Sequence, residues 1–220
     1  MTVSRKEDDK MNVLMINGSP NTKGCTFTAL TEIGKTLQEQ NINYEIMQLG
    51  KQPIRDCINC NRCHGDGCIF DDDMVNEFIQ KAKNADGFVF GTPVYYAHPS
   101  GRLLSFLDRA FYSSASSRIY KPFQFKPAAA IVSARRAGTT ASIDVINKYS
   151  IAMMPIVSST YWNMVHGLTP EDVMQDKEGL QTMRNIGKNM AWMLQCIACA
   201  KQHNIPQPQP DVADSTNFIH

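Results

Sequence analysis

Five short apolar runs, each followed by a stretch with apolar residues at helical spacing, constrain this chain more than any other feature. The runs are residues 11–18 (MNVLMING), 42–49 (INYEIMQL), 87–96 (GFVFGTPVYY), 126–134 (KPAAAIVSA) and 155–162 (PIVSSTYW). Between them, Phe27, Leu30, Ile33 and Leu37 recur at helical spacing from Thr26 to about Gln40, as do Met74, Val75, Phe78, Ile79 and Ala82 after an acidic start. Further helical patterns cover 100–112 (Leu103, Leu104, Leu107 and Phe111 inward), the segment from Thr139, and 170–203 with Met183, Ile186, Met190, Leu194 and Ile197. Strands that read as apolar runs rather than as in/out alternation are buried on both faces. The expected fold is a single doubly wound α/β domain over residues 11–203, built on a five-stranded parallel sheet. Residues 1–10 read as a disordered leader, and 204–220 as an extended proline-rich tail, suited to lying on a neighbouring subunit.

With 22 basic and 21 acidic residues, the chain carries a formal net charge of +1. A basic stripe for nucleic acid or an acidic membrane surface is therefore not expected. The polar first ten residues lack the apolar core of a secretory signal, and no apolar run nears the roughly 18 residues of a membrane span. Seven cysteines without an export signal point to a reducing cytoplasmic compartment, where clustered thiols serve metal binding or catalysis more often than disulfides.

Two loops at the carboxyl ends of predicted strands carry the site. Residues 17–26 (NGSPNTKGCT) join the first strand to the first helix, where unpaired helix N–H groups attract an anion. Gly18 and Gly24 permit close backbone approach, and Ser19, Asn21, Thr22 and Thr26 add hydrogen-bonding groups. The loop is neither a P-loop nor a G-x-G-x-x-G fingerprint, and Cys25 has Thr31 six places on, where the Cys-x5-Arg of a phosphatase loop has its arginine. The alternative is a plain strand-to-helix turn. In residues 91–109 (GTPVYYAHPSGRLLSFLDR), Pro93 is expected to break the strand. Val94 to Tyr96 then present amides and aromatic edges that suit a flat heteroaromatic ligand with a phosphate tail, or simply finish a core.

A third stretch, residues 57–68 (CINCNRCHGDGC), has the spacing C-x2-C-x2-C-x4-C, with Cys57, Cys60, Cys63 and Cys68. Lying between the two loops above and followed by residues 72–74 (DDM), it completes four ordered motifs that resemble the NADPH-dependent FMN reductase family, and within it the iron–sulfur flavoprotein branch. The resemblance spans about residues 11–200. It implies a flavodoxin-like fold holding FMN at the carboxyl ends of strands one, three and four, with NAD(P)H as co-substrate and a homodimer or homotetramer as the assembly. By position, Ser19, Asn21, Gly24, Cys25 and Thr26 would surround the FMN phosphate, and Pro93, Val94, Tyr95 and Tyr96 would line the ribityl chain and ring. The loop from Ser133 to Thr139, with Arg135, Arg136 and Gly138, would close the other side. Cys25 stands where the family usually has a small polar residue, and Arg135 and Arg136 stand where relatives are glycine-rich. Those arginines would stabilise an anionic reduced flavin, bind a phosphate of the nicotinamide donor, or remain solvated.

For the four cysteines two readings stay open. They are the ligands of a [4Fe–4S] cluster, whose thiolates this compact spacing can supply, or an unmetallated loop shaping the pocket or a subunit contact. Structural zinc prefers two separated knuckles. Cys196 and Cys199, mid-helix, read as small buried hydrophobes. No catalytic side chain is expected, since no Ser/His/Asp set is apparent and His64 and His98 are isolated. The resemblance implies an NAD(P)H-dependent flavin oxidoreductase, reducing a quinone, nitro or azo compound, flavin or similar small-molecule or protein acceptor by ping-pong kinetics. The alternative is an electron carrier between ferredoxin and an acceptor.

Overall fold

A computed structural model describes residues 10–63, 65, 67–115, 119–212, 214 and 216. The expected leader, apart from Lys10, therefore lies outside the described residues, as do His64 and the last four residues. The parallel strands are β1 (Asn12–Asn17), β2 (Asn43–Gln48), β3 (Gly87–Tyr95), β5 (Ala128–Ala134) and β6 (Met164–His166), in the order β2-β1-β3-β5-β6. A short β4 (His98–Pro99) pairs antiparallel with the end of β3, adding a sixth strand to the five expected. This is the doubly wound order with its switch point beside β1 and β3.

Strand parity divides the core. Leu14, Ile16, Phe88, Phe90, Ala130 and Val132 face α2 (Val75–Asn84) and α3 (Gly101–Ser114), with α4 (Thr139–Asn147) closing that layer. Val13, Met15, Val89, Ala129 and Ile131 face α1 (Cys25–Glu39), α5 (Pro170–Gln175) and α6 (Lys177–Gln202). On the first face Phe78 lies within 6.4 Å, centroid to centroid, of Phe88, Phe90, Phe106 and Phe123. Truncating such a buried ring costs about 3–5 kcal/mol.

Three expectations are corrected. The strand at 87–96 is not broken at Pro93: β3 runs on to Tyr95. Gly91 O accepts from Gly18 N at 2.8 Å, where the chain leaves β1. Pro93, two residues on, turns its donor-less nitrogen to the same vacated side, so no ladder bond is lost. The fifth strand is Met164–His166 rather than 155–162, where only Ile156 bridges to Ala128. The polar run there is instead held by α6: Asn189 Nδ2 donates to Ser158 O, and Asn185 Nδ2 to Thr160 Oγ1. Lastly, the helical pattern 170–203 is two helices. Asp176 interrupts it, accepting from Gly179 N and His166 N, so it caps α6 and ties β6 to it.

Candidate functional site

β1, β3 and β5 end at one edge of the sheet and deliver the three predicted loops there. Gly18 leaves β1 against the backbone of Gly91, and a Cβ on it would lie 2.9 Å from both Gly91 O and Leu103 Cβ. Only glycine fits that approach. Asn17, fully buried, then fixes the loop: its Oδ1 accepts from Ser19 N, and its Nδ2 donates to Gln48 Oε1. Gln48 Nε2 donates in turn to Ser19 O at 2.6 Å, and Ser19 Oγ accepts from Asn21 N at 3.1 Å. Asn17 and Gln48 were not expected as site residues. Their sequence signal is faint, each being the polar residue that ends its strand.

Beyond the loop, α1 starts at Gly24 with no side-chain cap, and α4 starts likewise at Gly138. By contrast, α5 carries a Thr169–Asp172 capping box and α6 the Asp176 cap. The first four N–H groups of a helix have no partner within it, so the starts of α1 and α4 keep donors that α5 and α6 spend on side chains. Thr26 Oγ1 and Ser133 Oγ lie 2.8 Å apart and bring loops one and three together across β3. Asn21 stays exposed, whereas Ser19, Thr26 and Ser133 are buried. The Cys25 thiol turns aside and donates to Gly167 O at 3.7 Å. Burial raises its pKa first, and the nearby Asp172 and Glu171 add to this, so it remains a thiol. Cys25 can offer the cradle its backbone N–H, not its side chain.

The second loop is a tight hairpin. Tyr95 pairs with His98 across Tyr96 (φ 51°) and Ala97 (φ 58°). Two successive left-handed residues are the backbone of a type I′ turn, here built without glycine or asparagine at either position. Tyr96 is fully exposed and Tyr95 about half exposed. Gly138, at φ +89°, lets the third loop close on this hairpin: a Cβ there would meet Ala97 Cα at 2.4 Å and Val94 Cγ1 at 2.9 Å. Arg135 and Arg136 are exposed on the same loop, and among the described residues neither forms an ion pair.

The cysteine loop follows β2. Its backbone is wound by Asn59 (φ 50°) and Asn61 (φ 54°), a residue type that tolerates the left-handed region, and by Gly65 and Gly67 at positive φ. Such windings turn successive N–H groups inward, as anion and iron–sulfur sites require. Burial raises the pKa of the Cys63 thiol, and the influence of Cys68, Cys60 and Cys57 adds to this. Among the described residues no three metal-ligating side chains are yet gathered on one point. Loading a cluster therefore needs rotation of these thiols, of which Cys57 is exposed. The donor set and the winding fit a four-thiolate group. The other pair, Cys196 and Cys199, is exposed on α6 rather than buried as expected.

Comparison with known proteins agrees with this arrangement. Residues 11–169 match the family model of NADPH-dependent FMN reductase. An iron–sulfur flavoprotein of Methanocaldococcus jannaschii is 32% identical over 85% of this chain and 99% of its own. Among solved structures, an NAD(P)H:quinone oxidoreductase from Methanothermobacter marburgensis superposes with a TM-score of 0.63 at 16% identity, covering 82% of this chain and 99% of that one. An archaeal flavodoxin does so with a TM-score of 0.56 at 15% identity, over 84% and 99%. Among the described residues no helix is long and apolar enough to cross a membrane.

Proposed function

This chain belongs to the NADPH-dependent FMN reductase family, an NAD(P)H-dependent flavin oxidoreductase of flavodoxin-like fold, and we propose that it passes electrons from NAD(P)H to a small diffusible acceptor such as a quinone, nitro or azo compound, or free flavin. The observation that carries this reading is the uncapped start of α1, whose Thr26 bonds Ser133 at the carboxyl edge of the sheet. Bound FMN supplies the hydride chemistry. The chain's part is to bind and orient it. Backbone N–H groups of the 18–26 loop and α1, with the Ser19 and Thr26 hydroxyls, hold the phosphate. Val94, Tyr95 and Tyr96 flank the ring from one side, and the 133–138 loop from the other.

No second nucleotide fold is present among the described residues. Donor and acceptor therefore share one exposed face in turn, and ping-pong kinetics are expected. Arg135 and Arg136, exposed and without a carboxylate partner beside the hairpin, suit a phosphate of the donor better than the ring itself. A second reading is favoured by one observation, the spacing of four cysteines in a loop wound by left-handed asparagines. In it, Cys57, Cys60, Cys63 and Cys68 hold a [4Fe–4S] cluster, and the protein relays electrons from a protein donor.

Anaerobic purification, titration with FMN, iron and sulfide analysis, and stopped-flow bleaching by NADPH separate these readings. Iron-free protein that bleaches rapidly removes the relay, and stoichiometric iron with slow bleaching removes the reductase. If FMN does not bind, both fail.

A further inference from the structure

Arg109, in the third turn of α3, is the largest fully buried side chain of the described residues, 1% exposed. Its helix otherwise turns Leu103, Phe106, Leu107 and Ala110 to the core, and an apolar side chain there would avoid the desolvation of a guanidinium. The donors are spent on one segment. Nη1 pairs with the Asp73 carboxylate and reaches Arg55 O at 3.4 Å, while Nη2 donates to Phe70 O at 3.1 Å. Nε–H points at Cys68 Sγ, 3.4 Å away.

Asn76 also grips the backbone of Cys68. Its N–H donates to Asn76 Oδ1 and its carbonyl accepts from Asn76 Nδ2, both at 2.8 Å. Asp73 balances the single charge of the guanidinium, whose polarised Nε–H points at the sulfur. A neutral thiol is a weak acceptor for that donor, whereas a metal-bound thiolate is a strong one. We propose that Arg109 is a positioning residue for the cysteine set: it holds Cys68 as the pre-placed sulfur of a [4Fe–4S] site and donates to it a charged N–H···S hydrogen bond that raises the cluster's reduction potential. Hydrogen bonds to the sulfurs and nearby charge are the levers that set such potentials. This inference rests on the four-thiolate reading.

The test uses the full chain, anaerobically reconstituted with ferrous iron and sulfide, as wild type, Arg109→Lys and Asp73→Asn. Lysine keeps a cation for Asp73 but loses the Nε–H donor. Asparagine keeps the oxygen that accepts from Val75 N and leaves the guanidinium uncompensated. The measurements are iron and sulfide content, EPR of the reduced cluster, and midpoint potential by spectroelectrochemistry. The expected result is a lower potential with an altered EPR signal in Arg109→Lys, and a higher potential at full iron content in Asp73→Asn. A merely structural arginine would lower the melting temperature of both without moving the potentials apart. Loaded wild type and Asp73→Asn at one potential overturn the inference even where Arg109→Lys does not fold. A wild type that takes up no stoichiometric iron overturns the four-thiolate reading, and the inference with it.

Discussion

Lys126 enters β5 with its amine against the last turn of α2, where Nζ donates to the carbonyls of Ala82 at 2.7 Å and Lys83 at 3.1 Å. Burial lowers its pKa to about 8; Asp86 opposes this and Lys201 adds a little to it. Between that value and the ordinary 10.5 the unfolded chain binds a proton that the folded one lacks. Stability from this group is therefore gained as pH rises through that window. The melting temperature of the wild type relative to Lys126→Met should climb by about 2–4 °C from pH 8 to pH 10, about 1 kcal/mol for a chain of this size once residual solvent screening is discounted. Differential scanning calorimetry of the two proteins across that range checks it, and a flat difference refutes the assignment. At this scale the sequence was partly legible. Ser19, Thr26 and Ser133 could be picked out because each lies where an apolar strand gives way to a loop or helix start. The Arg109–Asp73 pair could not, since its partners lie on different elements and only packing of α3 on the cysteine segment brings them together.

Whole elements were easier to read where periodicity decides them, as in α1 and α2, and harder where a single residue redirects the chain. The hairpin closing β3 was missed because its turn residues, Tyr96 and Ala97, are not the glycine or asparagine that mark a type I′ turn. The break at Asp176 was missed because the apolar pattern continues across it. The hairpin also yields a prediction. A left-handed non-glycine residue costs about 1–2 kcal/mol, and glycine gives back about 0.5–1 kcal/mol through the entropy of the unfolded chain. Ala97→Gly should then raise the melting temperature by about 2 °C. It should also weaken FMN binding, measured by flavin fluorescence, because the Cα and Cβ that brace Gly138 against the hairpin are loosened. A lower melting temperature would mean that packing on the third loop, not strain, dominates the turn.

Across the whole molecule charge is nearly balanced, so the long-range field that would steer an anionic cofactor is weak. Any electrostatic preference between NADPH and NADH must arise locally, from cations at the carboxyl edge of the sheet, where Arg135 and Arg136 stand exposed. A guanidinium reading the extra phosphate of NADPH contributes only there, because NADH lacks that group. The double variant Arg135→Gln/Arg136→Gln should raise KM for NADPH about tenfold, equivalent to about 1.4 kcal/mol, with kcat preserved and KM for NADH changed less than about twofold. Because the contact is exposed, raising ionic strength from about 0.05 to about 0.5 M should erode the wild-type preference and leave the variant unchanged. Steady-state kinetics with both donors at both salt concentrations decide the matter. Equal loss with NADH and NADPH would shift the arginines to the flavin ring, where a cation acts on the bound cofactor whichever donor arrives. No loss with either would make them solvated residues of the rim and leave donor selection to the backbone of the hairpin.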